Sequence, residues 1–243
     1  MTRNFNFFLY LALTTVALLL CNHVQASDSP DYVEIAKSRL AEIDEADMRE
    51  TWFFTIVTST EEEVLVVQND PSREDGQRRQ LISVNGDAPT AERLEEFEEQ
   101  QAKRNEEEDG ESSRNSFSEM VDFSTLTVLE VNEEQAVLSY TPILDGLEKA
   151  SDKLEGTLKL NADTHLVEEL SLVNTEKLSP AFSVSLTTFN MKFLFSPVDG
   201  ATLLSGMETS IEGKAGFLKK FKESTEVVFS DYRRMPEIQA EAY

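Results

Sequence analysis

The sequence predicts an α+β protein, mainly antiparallel β, in which helices cover the concave face of a strongly curved, half-barrel sheet. Three observations lead there. From Trp52 onward, apolar residues return at every second position in one segment after another, the period of half-buried strands. After residue 120 no strand–helix–strand alternation occurs, which argues against a parallel sheet. The longest segment, 182–195, changes phase midway: Phe182, Val184 and Leu186 are even-numbered, whereas Phe189, Met191, Phe193 and Phe195 are odd. A one-residue slip exchanges the two faces of a strand, so keeping both sets inside requires a bulge or sharp bend near Thr187-Thr188.

The 243 residues suit a single core, and 40% of them are hydrophobic. The first segment stands apart. Arg3 precedes a nearly unbroken apolar run from Phe7 to Leu20, and Val24-Gln25-Ala26 places small residues where a signal peptidase reads. The expectation is an export signal at 1–26, cleaved after Ala26, because the run is short for a membrane span. A lipoprotein anchored through Cys21 is the weaker reading, since Leu20 is not the small residue a lipobox requires. Cleavage leaves a cysteine-free chain that its core alone must hold together. That suits the periplasm and a protein with no spanning segment once the signal is removed.

Asp31, with Glu34 three residues on, reads as a helix start, and Val33, Ala36, Leu40 and Ile43 then recur at helical spacing. Strands are expected at 52–59, 63–69 and 80–84. Thr60-Glu61-Glu62 forms the first turn, and Asp70-Pro71-Ser72-Arg73 and Asn85-Gly86 are shaped as turns. Thr90 is a candidate N-cap for a charged helix over 91–104. This helix runs into an acidic loop near 105–115, an excursion spanning 90–115. A meander follows, with strands at 125–131, 135–141, 153–161, 166–174, 182–195, 201–213 and 222–233. Leu203, Met207 and Ile211 share one parity and are expected to line one surface. Residues 27–234 are read as one domain, and 235–243 as a flexible tail.

Charge and composition exclude several classes of function. With 22 Lys+Arg against 46 Asp+Glu the formal net charge is −24, so phosphate is repelled. Neither nucleic-acid binding nor docking on anionic lipid head groups is expected. No nucleophile elbow, dinucleotide fingerprint, phosphate loop or His-Glu-x-x-His motif occurs. His165 reads as a turn residue. The run Glu106-Glu107-Glu108-Asp109 lacks the alternating ligands and the glycine of a calcium loop. No catalytic residue, cofactor or metal is assigned, and a hydrolase built on paired carboxylates has no local support.

What remains is apolar surface. Trp52, Phe54, Phe189, Met191, Phe193, Phe195, Met207 and Ile211 form an aromatic and Met-containing set suited to lining a site for a flexible apolar ligand. The same residues are also what an ordinary core under two helices contains. The export signal, the N-terminal helix, the long meander with its helical excursion and the final Ser230-Asp231-Tyr232-Arg233 together resemble the LolA/LolB-like periplasmic group. The text from Asp70-Pro71-Ser72-Arg73 to Pro89-Thr90 resembles a stretch of secreted Gram-negative proteins. This resemblance implies an incomplete barrel whose concave face holds acyl chains, and hence a non-enzymatic protein that binds a lipid, lipoprotein or other apolar ligand. The alternative is an envelope module with a filled core, whose acidic loop binds a basic protein partner. Neither the ligand, the partner nor the oligomeric state is written in the sequence.

Overall fold

The computed structural model describes residues 30–74, 76–108, 116–144, 146–181, 183–216 and 219–236. The expected export signal with Cys21, most of the 105–115 loop, Phe182 and most of the tail lie outside the described residues.

In chain order the elements are helix α1 (Tyr32–Glu45), the single turn α2 (Met48–Thr51), and strands β1 (Trp52–Ser59), β2 (Val64–Asn69) and β3 (Arg79–Val84). Helix α3 (Ala91–Glu108) follows, then β4 (Val121–Val131), β5 (Gln135–Pro142), a 3-10 turn (Glu148–Lys153), β6 (Leu154–Asn161) and β7 (Val167–Asn174). The chain ends with β8 (Leu178–Ala181), β9 (Val184–Val198), β10 (Ala201–Ala215) and β11 (Lys219–Arg234). Eleven strands form one sheet in the order β3-β2-β1-β11-β10-β9-β7-β6-β5-β4, with β8 flanking β9. Every described pairing is antiparallel, and the edges β3 and β4 do not meet, so the curved sheet stays open. Because β1 joins the sheet beside β11, the segment between β3 and β4, which carries α3, connects the two edges.

Local chemistry explains the turns. Thr60 Oγ1 accepts the amides of Glu62 and Glu63, closing the first hairpin. Asn85 and Gly86 both take positive φ, 54° and 86°, as a type I′ turn demands, and Asn85 Oδ1 accepts Val64 N–H at 2.8 Å. Asp70-Pro71-Ser72-Arg73 is a self-contained Asx turn: the Asp70 carboxylate accepts Ser72 N–H at 3.0 Å and pairs with Arg73 Nε at 3.3 Å. Thr90 Oγ1 accepts Arg93 N–H and caps α3. Arg93 then fixes that helix to the first hairpin through both oxygens of Glu63, at 2.7 and 2.9 Å.

The register carries one row of side chains across the sheet. Leu138 lies opposite Leu158, Leu158 opposite Leu170, and Leu170 opposite Phe193. Phe193 then faces Met207, Met207 faces Val227, Val227 faces Thr58, and Thr58 faces Leu65. Paired residues share a face. This is therefore the apolar face, and the opposite one carries cross-strand ion pairs such as Lys159–Glu169 and Lys192–Glu208. Gly156 sits in the same surface because the Tyr140 ring lies over it, leaving no room for a Cβ.

Two irregularities shape this face. Leu186 pairs with Gly213 and Thr188 with Glu212, so Thr187 is the extra residue of a bulge, at the position the phase change requires. A second bulge at Ser205 was not anticipated. It places Leu204, opposite Phe195, on the face of Met207 and sends Leu203 to a different cluster. Of Leu203, Met207 and Ile211, expected to line one surface, Met207 packs against both clusters, Leu203 sits in one and Ile211 lies against the other. The sequence reading also missed β8, which pairs only with the start of β9, and it ended α3 four residues early.

Candidate apolar ligand site

The apolar face supports two clusters. The larger gathers Leu138, Leu158, Leu170, Leu172, Phe189, Phe193, Phe195 and Leu204 under α1, which contributes Tyr32, Ala36, Leu40 and Ile43. The smaller holds Trp52, Phe54, Ile56, Val67, Leu81, Leu203 and Val227, with Phe97 of α3 against it. Met48, Met207 and Phe229 touch both.

The eight residues singled out from the sequence divide between these clusters. Trp52 (1% exposed) and Phe54 belong to the smaller, Phe189, Phe193 and Phe195 to the larger. Met191 and Ile211 are half-buried at the margin of the larger cluster, and Met207 is half-buried between the two. Register groups the half-buried ones: Phe193 opposite Met207, Met191 opposite Thr209, Phe189 opposite Ile211. This strip of thioether and branched side chains is a surface that can repack around a guest.

Its covering is built from few pieces. Phe117, in the turn before β4, sets its ring edge-on against Phe193 and Phe195, at centroid distances of 5.2 and 5.0 Å. The turn is held from α1: the Asp44 carboxylate accepts Phe117 N–H at 2.6 Å and Ser118 N–H at 3.0 Å. Over the smaller cluster Tyr232 packs its ring against Trp52 and Phe54, and its hydroxyl donates to Leu204 O. Burial raises the Tyr232 phenol above its usual range, so it remains a neutral donor. Asn69, itself buried, donates to Arg49 O and Trp52 O and fixes the start of β1.

Sequence reasoning overlooked Phe117 and Tyr232 as parts of this site. Phe117 lies in a Ser- and Glu-rich stretch with no periodicity, so its only signal was being a lone aromatic in polar text. Tyr232 follows a bulge at Asp231 (φ 57°), which conceals the face it takes.

Two shallow depressions lie along the β10–β11 ribbon, one lined by Thr187, Lys214, Lys220 and Phe221, the other by Asn190, Glu208 and Ser224. Neither is lined by any of the eight residues. His165 takes a left-handed turn conformation (φ 56°) with its ring edge-on to Tyr32. Among the described residues no group of three or more His, Cys, Asp or Glu is arranged to hold a metal, and no helix is long and apolar enough to cross a membrane.

No protein-family profile matches this chain, and no curated protein matches it. Among solved structures, the crystal structure of a LolA superfamily protein from Nitrosomonas europaea matches 83% of this chain and 94% of that chain, at 13% identity and a TM-score of 0.35.

Proposed function

We propose that the protein is a non-enzymatic periplasmic carrier of an apolar ligand, an acyl chain of a lipid or lipoprotein, held between α1 and the concave face. One observation carries this reading. Among the described residues the larger, Phe-lined cluster is covered by the amphipathic helix α1, the pinned Phe117 turn and Leu144, Leu147 and Ala150 about the 3-10 turn, with Met191, Met207 and Ile211 half-buried at its margin.

The energetics permit exchange. Two hydrogen bonds to a carboxylate and two edge-on ring contacts hold the Phe117 turn by on the order of 5 kcal/mol. An acyl chain of about a dozen methylenes gains on the order of 10 kcal/mol on leaving water. A chain slid along Met191 and Met207 therefore offsets the loss of the turn. A short, polar molecule does not.

The experiment is uptake of a fluorescent fatty acid, alongside extraction and mass analysis of lipid from protein purified from the periplasm. The wild type takes up the probe saturably, and Met207→Lys, which puts a charge on the half-buried strip, lowers affinity by at least about tenfold. Absence of both co-purified lipid and uptake contradicts the reading. It would leave the apolar face as plain core and favour the acidic excursion as the functional surface.

A further inference from the structure

Strand β11 is paired on both sides over only part of its length. On the β10 side its partners run from Lys219 to Val228, whereas β1 leaves it at Glu226, opposite Ser59. Past that point the chain turns back through Thr60-Glu61-Glu62 into β2. Residues 219–225 therefore present an edge with no described strand beside it, although β11 lies in the interior of the sheet order. Lys219, Lys220, Lys222, Glu223 and Ser224 are exposed along it. With a rise of ~3.3 Å per residue the edge is about 23 Å long. Its outward N–H and C=O groups are a template for one more strand.

The side chains determine which strand fits. Register puts Lys219, Phe221, Glu223 and Thr225 on the face of Met207 and Val227, and Lys220, Lys222 and Ser224 on the other. Residues 214–222 hold four lysines and no acid, in a chain of net charge −24. Lys222 is held by Glu212 at 2.7 Å, and Glu61 in the hairpin turn adds its field. Lys219 and Lys220 form no ion pair with a described residue, and Lys220 stands directly opposite Lys214. A like-charge cross-strand pair is destabilising, so folding stability does not select it.

We propose that this edge receives an extended acidic segment of a partner protein as an added antiparallel strand. Main-chain hydrogen bonds supply the attraction and alternate side chains the selection. Read from its N-terminus, the incoming strand meets Glu223, Lys222, Phe221, Lys220 and Lys219 in turn. It therefore carries an apolar residue opposite half-buried Phe221, followed by two acids. The acid opposite Lys220 relieves the repulsion from Lys214. The same lysines select against a second copy. Two such edges paired antiparallel over the seven residues set Lys222 against Lys222, Lys220 against Ser224 and Lys219 against Thr225, so no lysine gains an acid. None of this depends on what the concave face carries.

The test is fluorescence anisotropy with a labelled, end-blocked peptide, Thr-Thr-Lys-Thr-Val-Glu-Glu, which sets Lys opposite Glu223, Val opposite Phe221 and Glu opposite Lys220 and Lys219. The full chain binds it saturably. N-methylation of one alternate set of peptide amides, the set that faces the edge, abolishes binding, and methylation of the other set does not. The variant Lys219→Glu, Lys220→Glu loses about tenfold or more and instead binds Thr-Thr-Lys-Thr-Val-Lys-Lys, an exchange that only a folded edge can make. Absence of binding to wild type, binding that survives methylation of either set, or a charge-reversed variant that gains no affinity for the lysine peptide overturns the proposal. So does a wild-type dimer in sedimentation that excess peptide disperses, since it places a second copy on the edge.

Discussion

Asp70 illustrates how a conspicuous motif can close its own turn. Its carboxylate accepts the Ser72 hydroxyl and amide and pairs with Arg73, and the Ser72 hydrogen bond foremost holds its pKa below the usual carboxylate value of 3.8. A carboxyl whose folded pKa is depressed stabilises the fold above its unfolded pKa, and this contribution disappears as pH falls through the folded value. Asp70→Asn is therefore expected to cost less than about 1 kcal/mol at neutral pH, the group being partly exposed. The gap between variant and wild type should close in denaturant titrations at acidic pH. A gap that stays constant with pH would mean that the charge of Asp70 plays no part. The turn was legible from residue types because Pro71 fixes φ and Asp and Ser close such turns unaided. Phe117 was not, because its importance comes from contacts across the fold.

At the level of elements, α1 ends acidic, with Asp44 and Glu45 and no basic residue in its last turn. A helix dipole disfavours that arrangement. Asp44 is used instead to hold the Phe117 turn. Asp44→Ala is expected to leave α1 in place, cost about 1–3 kcal/mol, and expose the Phe117 and Ser118 amides to exchange at least tenfold faster. Unchanged protection of those two amides would show that the turn is held by something else. The bulge at Thr187 was legible because large apolar residues flank it in opposite phase. The bulge at Ser205 was hidden, since Leu203 and Leu204 are both apolar and either satisfies the pattern. The four residues of β8, Leu178-Ser179-Pro180-Ala181, have no periodicity of their own and gain strand geometry only from β9. Edge β4 carries two register breaks, at Asp122/Thr127 and Val128/Glu130, which spoil it as a template for further pairing.

For the whole molecule, the antiparallel sheet and the face its strands bury followed from period-two patterning, but the position of β1 did not. Pairing β1 with β11 brings Trp52 and Phe54 onto the face that carries Met207 and Phe193, and no local signal fixes a contact between residues so far apart in sequence. That closure gives the protein a reporter. Trp52 is the single tryptophan, buried on the concave face and linked through Met207 to the strip where a ligand is expected. The most direct measurement is titration of the protein with a brominated fatty acid while Trp52 emission is followed. A carrier that admits an acyl chain along Met191 and Met207 shows saturable quenching that the Met207→Lys variant loses. Emission that stays constant while the fatty acid is added, or quenching that Met207→Lys leaves unchanged, contradicts binding on the concave face.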